Sequence, residues 1–223
     1  MKKCYLCGSM ENLTRDHVPP KGLFPPPLPT DLITLPCCDK CHKPLSLDDE
    51  AFRIWVAAAA GKSEAGRWIW ENQVLGSSLK RSPKLLRNVR KELQIRRLAI
   101  PDQEIYVPTL AISEKRAQNV LIRITKGLLT SFYPSYDFSR DVFKVFCAAP
   151  IPKHKRSVLA LMRVSKRESR GNGVFDFWHA ITTENNGGSW VYFFYQAACC
   201  VVVHSSAWDT VATIQGSDPD AGL

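Results

Sequence analysis

The spacing of apolar residues divides the 223-residue chain into three stretches. Residues 1–45 look unlike the rest, a small loop-rich unit in which six prolines between Pro19 and Pro29 exclude a helix or a central strand. Helical patterns follow. Ser46-Leu47-Asp48-Asp49 resembles a capping box with Asp in the usual Glu position, Ala51–Ala60 are good helix formers, and Gly61 is placed to stop them. A second short helix is expected from Ser63 to Leu75. A third is expected from Lys80 to about Leu98, with Leu86, Val89 and Leu93 at helical spacing. Ile100-Pro101-Asp102 interrupts the pattern and Ile105–Ile112 reads as a strand. Ser113 is placed to cap a helix to about residue 133, in which Ala117, Val120, Leu121, Ile124, Leu128 and Phe132 share a face. From residue 142 the runs are β-branched and aromatic: Val142–Ala148, Val158–Val164, Val174–Thr183 and Trp190–His204, with Asn185-Asn186-Gly187-Gly188 as the clearest hairpin turn. The expected architecture is α+β, with a small loop-rich unit over 1–61 and a second region over 62–223. That second region carries helices over about 63–98 and 113–133 and antiparallel strands from about 142 to 204.

Composition narrows the class. A 45% hydrophobic, 23% charged chain is globular rather than disordered. No apolar run reaches the roughly 18 residues of a membrane span, and the nearest, Trp55–Ala60 and Trp190–Val203, read as buried core. The opening Met1-Lys2-Lys3-Cys4 leads into no apolar signal region, which points to the cytoplasm, where the eight cysteines stay reduced. The net charge of +9 favours a polyanionic partner, most simply nucleic acid. The surplus is clustered. Lys80, Arg81, Lys84, Arg87, Arg90, Lys91, Arg96 and Arg97 stand against Glu92 alone, and Lys153, Lys155, Arg156, Arg163, Lys166, Arg167 and Arg170 against Glu168 alone. The first cluster reads as a helix with a basic outer face, which is either simply solvated or tracks a phosphate backbone.

The cysteines change the picture of residues 1–45. Five of the eight lie there, including two C-x-x-C pairs, Cys4/Cys7 and Cys38/Cys41. Chance yields about 0.3 such pairs at this cysteine content, so two in one short unit are a signal. Paired thiolates two residues apart suit a tetrahedral Zn²⁺, and four of them close a structural site with no position open for substrate. Cys37 is a rival for Cys38 whose spacing to Cys41 fits less well. Between the pairs lies Arg15-Asp16-His17-Val18-Pro19-Pro20, and His42 follows Cys41 directly. Two of the five histidines thus flank one predicted staple, one of them beside a carboxylate. Phosphodiester hydrolysis has a use for that set. A neutral imidazole, His17, can take a proton from water, while Asp16 and His42 can hold a divalent cation from two sides.

The ordered set Cys-x-x-Cys, Asp-His-Val-x-Pro, Leu-Ile-Thr-Leu and Cys-x-x-Cys-His, over residues 4 to about 53, resembles the HNH endonuclease family in the zinc-stapled form of phage, restriction and defence nucleases. The resemblance implies a ββα-metal unit of treble-clef type. By position it implies Cys4, Cys7, Cys38 and Cys41 as structural Zn²⁺ ligands and Asp16 and His42 as ligands of a catalytic Mg²⁺ or Mn²⁺, with His17 as general base. It further implies DNA as substrate and a product with a 5′-phosphate and a 3′-OH. The family's Asn, which holds the base histidine, is here Asp31, a carboxylate able to orient His17 through its ring N–H. Arg15 and Lys21 beside the pair, and Lys84, Arg87, Arg90 and Arg97 on the basic helix, are candidate phosphate contacts. The rival readings are a catalytically silent zinc module that binds nucleic acid or a protein, and a staple for an unrelated sheet domain. The second region could also carry a protein partner or a second copy of the chain. Asp48, Asp49 and Glu50 read first as residues favouring the start of their helix. Cys147, Cys199 and Cys200 read as buried hydrophobes, the tryptophans as core, and His154, His179 and His204 as structural.

Overall fold

The structure is a computed structural model that describes residues 2–60, 63–100, 103–110, 114–148, 155–182 and 187–208. Strands β1 (Leu13–Val18) and β2 (Ile33–Cys38) form an antiparallel hairpin in register Leu13↔Cys38 to Val18↔Ile33. The proline cluster is accommodated in the loop between them, where no ladder N–H is required. The short helix α1 (Asp39–His42) follows β2 directly and a single 3₁₀ turn leads into α2 (Ser46–Ala58). That continuity displaces the expected capping box. Leu45 already has helical torsions, and the Ser46 hydroxyl donates to the Lys43 carbonyl instead of capping. The expected stop at Gly61 lies outside the described residues.

The helical middle is α3 (Glu64–Trp68), a π-helical stretch Ile69–Ser78, α4 (Leu79–Arg81) and α5 (Pro83–Glu92). Ser63 caps α3 by accepting from the Gly66 N–H. The basic segment does not remain helical to residue 98. It turns into β3 (Leu93–Ile100), paired with β4 (Gln103–Leu110) from Leu93↔Leu110 to Ile100↔Gln103. Leu93 and Ile95 therefore belong to a strand alternating with Gln94 and Arg96, and only two residues, 101 and 102, separate the strands.

Helix α6 (Glu114–Phe132) carries the expected apolar face: Ala117, Val120, Leu121, Ile124 and Leu128 are buried. Its proposed Ser113 cap lies outside the described residues. Beyond it stands a five-stranded antiparallel sheet of β5 (Val142–Ala148), β6 (Lys166–Arg170), β7 (Phe175–Thr182), β8 (Gly187–Phe194) and β9 (Ala198–Ser205), in spatial order β5-β9-β8-β7-β6. The fold is α+β, as the residue pattern implies. Two strand assignments change. Val158–Val164 is not a strand but lies largely in helix α7 (Lys155–Arg163), whose Val158, Leu161 and Met162 recur at helical spacing against Val191 and Cys199. Trp190–His204 is two strands, folded back at Tyr195 and Gln196, which have positive φ. Part of the Asn185–Gly188 turn lies outside the described residues, yet the pairing Thr182↔Gly187 closes the hairpin it was expected to make.

The buried core is continuous across the boundary drawn at residue 61. Val18, Phe24 and Phe52 belong to the same cluster as Leu121, Phe175 and Tyr192. The Tyr195 hydroxyl donates to the Leu23 carbonyl at 2.7 Å, and the Phe52 and Phe194 rings meet edge to face at 5.2 Å. The hairpin and α2 thus lie against α6 and the sheet. Among the described residues no helix is long and apolar enough to cross a membrane.

Candidate metal centre and active site

The β1–β2 hairpin brings the two cysteine pairs together. Tyr5 N–H donates to the Pro36 carbonyl at 3.0 Å and Asp39 N–H to the Asn12 carbonyl at 3.2 Å, tying the first knuckle to the start of the second. The Sγ atoms of Cys4, Cys7, Cys38 and Cys41 all lie within 4.8 Å of one another, a set that could hold a metal ion. Cys7 and Cys38 sulfurs are 3.6 Å apart. Tetrahedral thiolates about 2.3 Å from Zn²⁺ are separated by about 3.8 Å, so the donor set fits that ion. Burial opposes ionisation of Cys4, but the backbone N–H groups of Cys38, Leu6 and Cys7 outweigh it and bring the thiol down to about 6. Burial and the neighbouring thiols push Cys41 up. A cation among them reverses that resistance to a second ionisation. Cys37 is outside the set. Its thiol is buried, pushed up to about 12 by burial and the Cys4 charge, and directed to the Cys38 carbonyl.

The same hairpin presents the Asp-His pair near the end of β1. Strand alternation sends Asp16 inward, where it is 4% exposed, and leaves Arg15 exposed and His17 half-buried. The buried carboxylate has partners on each oxygen. Tyr5 Oη donates to Oδ2 at 2.7 Å, and Arg123 Nε lies 3.9 Å from that same oxygen. Oδ1 faces His42 Nε2 at 3.8 Å, too long for a hydrogen bond. Two ligand atoms each about 2.1 Å from one cation lie between about 3.0 and 4.2 Å apart, so this pair fits a shared divalent ion. The Arg123 guanidinium also donates to Asp49 Oδ1. Burial raises Asp49 to about 6 against the pull of Arg123, while Asp49 and Asp16 overcome burial to keep Arg123 charged.

His17, Asp16 and His42 line one cavity of about 480 Å³ together with Arg15 and Lys21. One face of α2, formed by Ser46, Asp49, Glu50 and Arg53 at i, i+3, i+4 and i+7, closes its far side. Burial first, and the Lys21 ammonium second, lower the pKa of His17, which keeps the imidazole neutral and able to accept a proton. Arg53 is held by Ser78 Oγ at 2.9 Å and by Glu50 at 3.6 Å. The cavity therefore combines a neutral imidazole, a carboxylate–imidazole pair at ligand spacing and a basic rim.

Asp31 does not join them. Both of its oxygens accept the Gly171 N–H at 3.2 Å, and no hydrogen bond links it to His17 among the described residues. It lines a separate cavity of about 350 Å³ with the proline loop and the β6–β7 turn. Gly171 has φ +63° and packs against the Phe24 ring, so the turn that Asp31 grips requires glycine. The acidic run at the start of α2 also does more than favour the helix start. Asp48 accepts from Asn119 at 2.8 Å and lies 3.7 Å from Arg116, both on α6. Lys84, Arg87 and Arg90 lie exposed on α5, with Leu85, Leu86 and Val89 turned to the core. Arg97 is on β3, and its side chain lies outside the described residues, as does His154. The residues that sequence reasoning missed are Tyr5, Arg53 and Arg123. Arg53 could have been found from its i+4 spacing to Asp49. Arg123 could have been found as a cation three residues beyond Val120 on an apolar face. No signal marks Tyr5.

No family model matches the chain, no curated protein matches it, and no solved structure matches its fold.

Proposed function

We propose that the protein is a metal-dependent endonuclease of HNH type that hydrolyses DNA phosphodiester bonds, with Cys4, Cys7, Cys38 and Cys41 holding a structural Zn²⁺. The observation that carries this reading is the 3.8 Å approach of Asp16 Oδ1 to His42 Nε2 in the cavity that also receives His17. The cysteine cluster itself includes none of those three residues. Asp16 and His42 would hold a Mg²⁺ or Mn²⁺ ion, which when bound supplies Lewis-acid stabilisation of charge on the phosphoryl and leaving oxygens. His17 accepts the proton of the attacking water as its oxygen bonds to phosphorus. The bond to the 3′ oxygen breaks, leaving a 5′-phosphate, and the 3′ oxygen takes a proton from solvent. Arg15 and Lys21 bind the flanking phosphates by charge.

Purified protein is expected to nick supercoiled plasmid with Mg²⁺ or Mn²⁺ and to stop when the ion is chelated. His17→Ala is expected to lower the rate by roughly 10²–10⁴-fold with zinc content and melting temperature unchanged. No nicking by wild-type protein with either ion, or equal nicking by His17→Ala, overturns the assignment. One observation favours a second reading, a zinc module that binds nucleic acid without cutting. Asp31, standing where the family carries Asn, is bonded to Gly171 and leaves the ring of His17 without that holder.

A further inference from the structure

We propose that Tyr5, by a hydrogen bond, and Arg123, by its charge, are positioning residues for the cation pair: both lie against Oδ2 of Asp16 and leave Oδ1 toward His42. The inference rests on the assignment of Asp16 and His42 to a divalent cation. A carboxylate has two equivalent oxygens, and its terminal torsion is broad, so nothing intrinsic decides which oxygen faces a ligand. Here the two oxygens face different partners. Tyr5 Oη lies 2.7 Å from Oδ2 and Arg123 Nε 3.9 Å from the same atom, whereas His42 Nε2 lies 3.8 Å from Oδ1. Asp16 is 4% exposed, so bulk water does not substitute for either partner.

The two holders come from opposite parts of the chain. Tyr5 sits inside the first cysteine knuckle, between Cys4 and Cys7, and its backbone N–H is fixed to Pro36 on β2. Its hydroxyl makes the thiolate cluster a direct support of the cation pair, one hydrogen bond away. Arg123 arrives from α6 and is itself braced by Asp49. The hairpin and the short helix α1 therefore carry the ligands, Asp16 and His42, but α6 helps to set the orientation of Asp16. Hydrogen-bonding partners behind metal-bound carboxylates tune affinity by roughly 10–100-fold.

Tyr5→Phe removes only the hydroxyl and separates positioning from packing. In full-length, zinc-loaded protein, Mn²⁺ binding is read from loss of the free-ion electron paramagnetic resonance signal, with Asp16→Asn as reference. Tyr5→Phe is expected to raise the Mn²⁺ dissociation constant about 10-fold or more with zinc content unchanged, and saturating Mn²⁺ is expected to restore cleavage. Arg123→Lys, which keeps the charge but not the planar fork, is expected to weaken Mn²⁺ binding as well. Wild-type Mn²⁺ affinity in Tyr5→Phe overturns the proposal. If Tyr5→Phe loses zinc, Arg123→Lys decides, since it touches neither knuckle, and wild-type affinity there overturns the proposal equally. Equal Mn²⁺ binding by wild type and Asp16→Asn removes the cation pair and this proposal with it. A wild type that binds Mn²⁺ through Asp16 but cuts no DNA removes only the nuclease reading.

Discussion

The hairpin with its cysteine knuckles and the five-stranded sheet are held together by different physics. In the sheet, Phe175, Phe177, Trp190, Tyr192 and Phe194 are fully buried, and their rings approach at 5.1 Å for Phe175–Phe177 and for Phe175–Phe194. Each such side chain removes about 150–250 Å² from water, enough to stabilise the sheet without other devices. The hairpin buries few large apolar groups of its own and encloses instead a carboxylate, a guanidinium and a cluster of thiols. A unit of that kind needs a staple and a neighbour. The difference explains where the candidate chemistry lies. Groups able to bind cations or move protons occupy the part of the molecule that apolar packing does not fill, while the packed part supplies rigidity and one of the holders of Asp16.

The largest test of that contrast is loss of the staple. Cys38→Ser is expected to release zinc and unfold residues 4–42 while the sheet survives. Metal binding by such sites contributes on the order of 10–16 kcal/mol, more than the hairpin's own packing can replace. Hydrogen exchange should then show β1 and β2 unprotected with β7, β8 and β9 still protected. Loss of protection throughout would show that the hairpin and sheet unfold as one cooperative body.

Smaller effects are expected where the two regions touch. Gly127 on α6 faces Val18, the residue after His17, so closely that an added Cβ would lie 2.6 Å from Val18 Cγ2. Gly127→Ala gains about 1 kcal/mol of helix propensity but forces overpacking that costs about 1–3 kcal/mol. A net loss of about 1 kcal/mol is expected, which lowers the calorimetric melting temperature by about 3 °C in a chain of this size. A higher melting temperature would mean that β1 yields easily at this contact.

The contrast also accounts for what the residue pattern conveys. The four cysteines are legible because a set able to ligate a metal has a characteristic local spacing, and the face of α6 is legible because one side is uniformly buried. The basic run after α5 misleads because Leu93 fits a helix extended from Leu86 and Val89 as well as a strand begun with Ile95. The pairing of β3 with β4 chooses between them, and the partners of Leu93 and Ile95 in that pairing, Leu110 and Pro108, lie 17 and 13 residues further on. Val158–Val164 misleads because a short apolar run fits either period, and the surface of β8 and β9 decides for the helix. At the site, Asp16, His17 and His42 follow a local motif. Asp31 is taken up by Gly171, 140 residues away, and Arg123 reaches Asp49 across 74 residues. No local pattern carries such partnerships.

The smallest expected effect on the fold, and one confined to binding, concerns the outer face of α5. Leu85, Leu86 and Val89 pack on the core, so Lys84, Arg87 and Arg90 are free to meet a polyanion without altering the helix's seat. Arg97 lies off this helix, on β3. If each of the three contacts a phosphate of duplex DNA, replacing all three with Gln removes about 0.9 counterion per contact. The slope of log affinity against log salt should flatten by roughly 2.7 units, with little dependence on sequence. Exposed substitutions of this kind move stability by less than about 0.5 kcal/mol, so weaker binding would not reflect unfolding. An unchanged slope would assign this face to solvent and leave Arg15 and Lys21, at the rim of the cavity, as the phosphate contacts near the site.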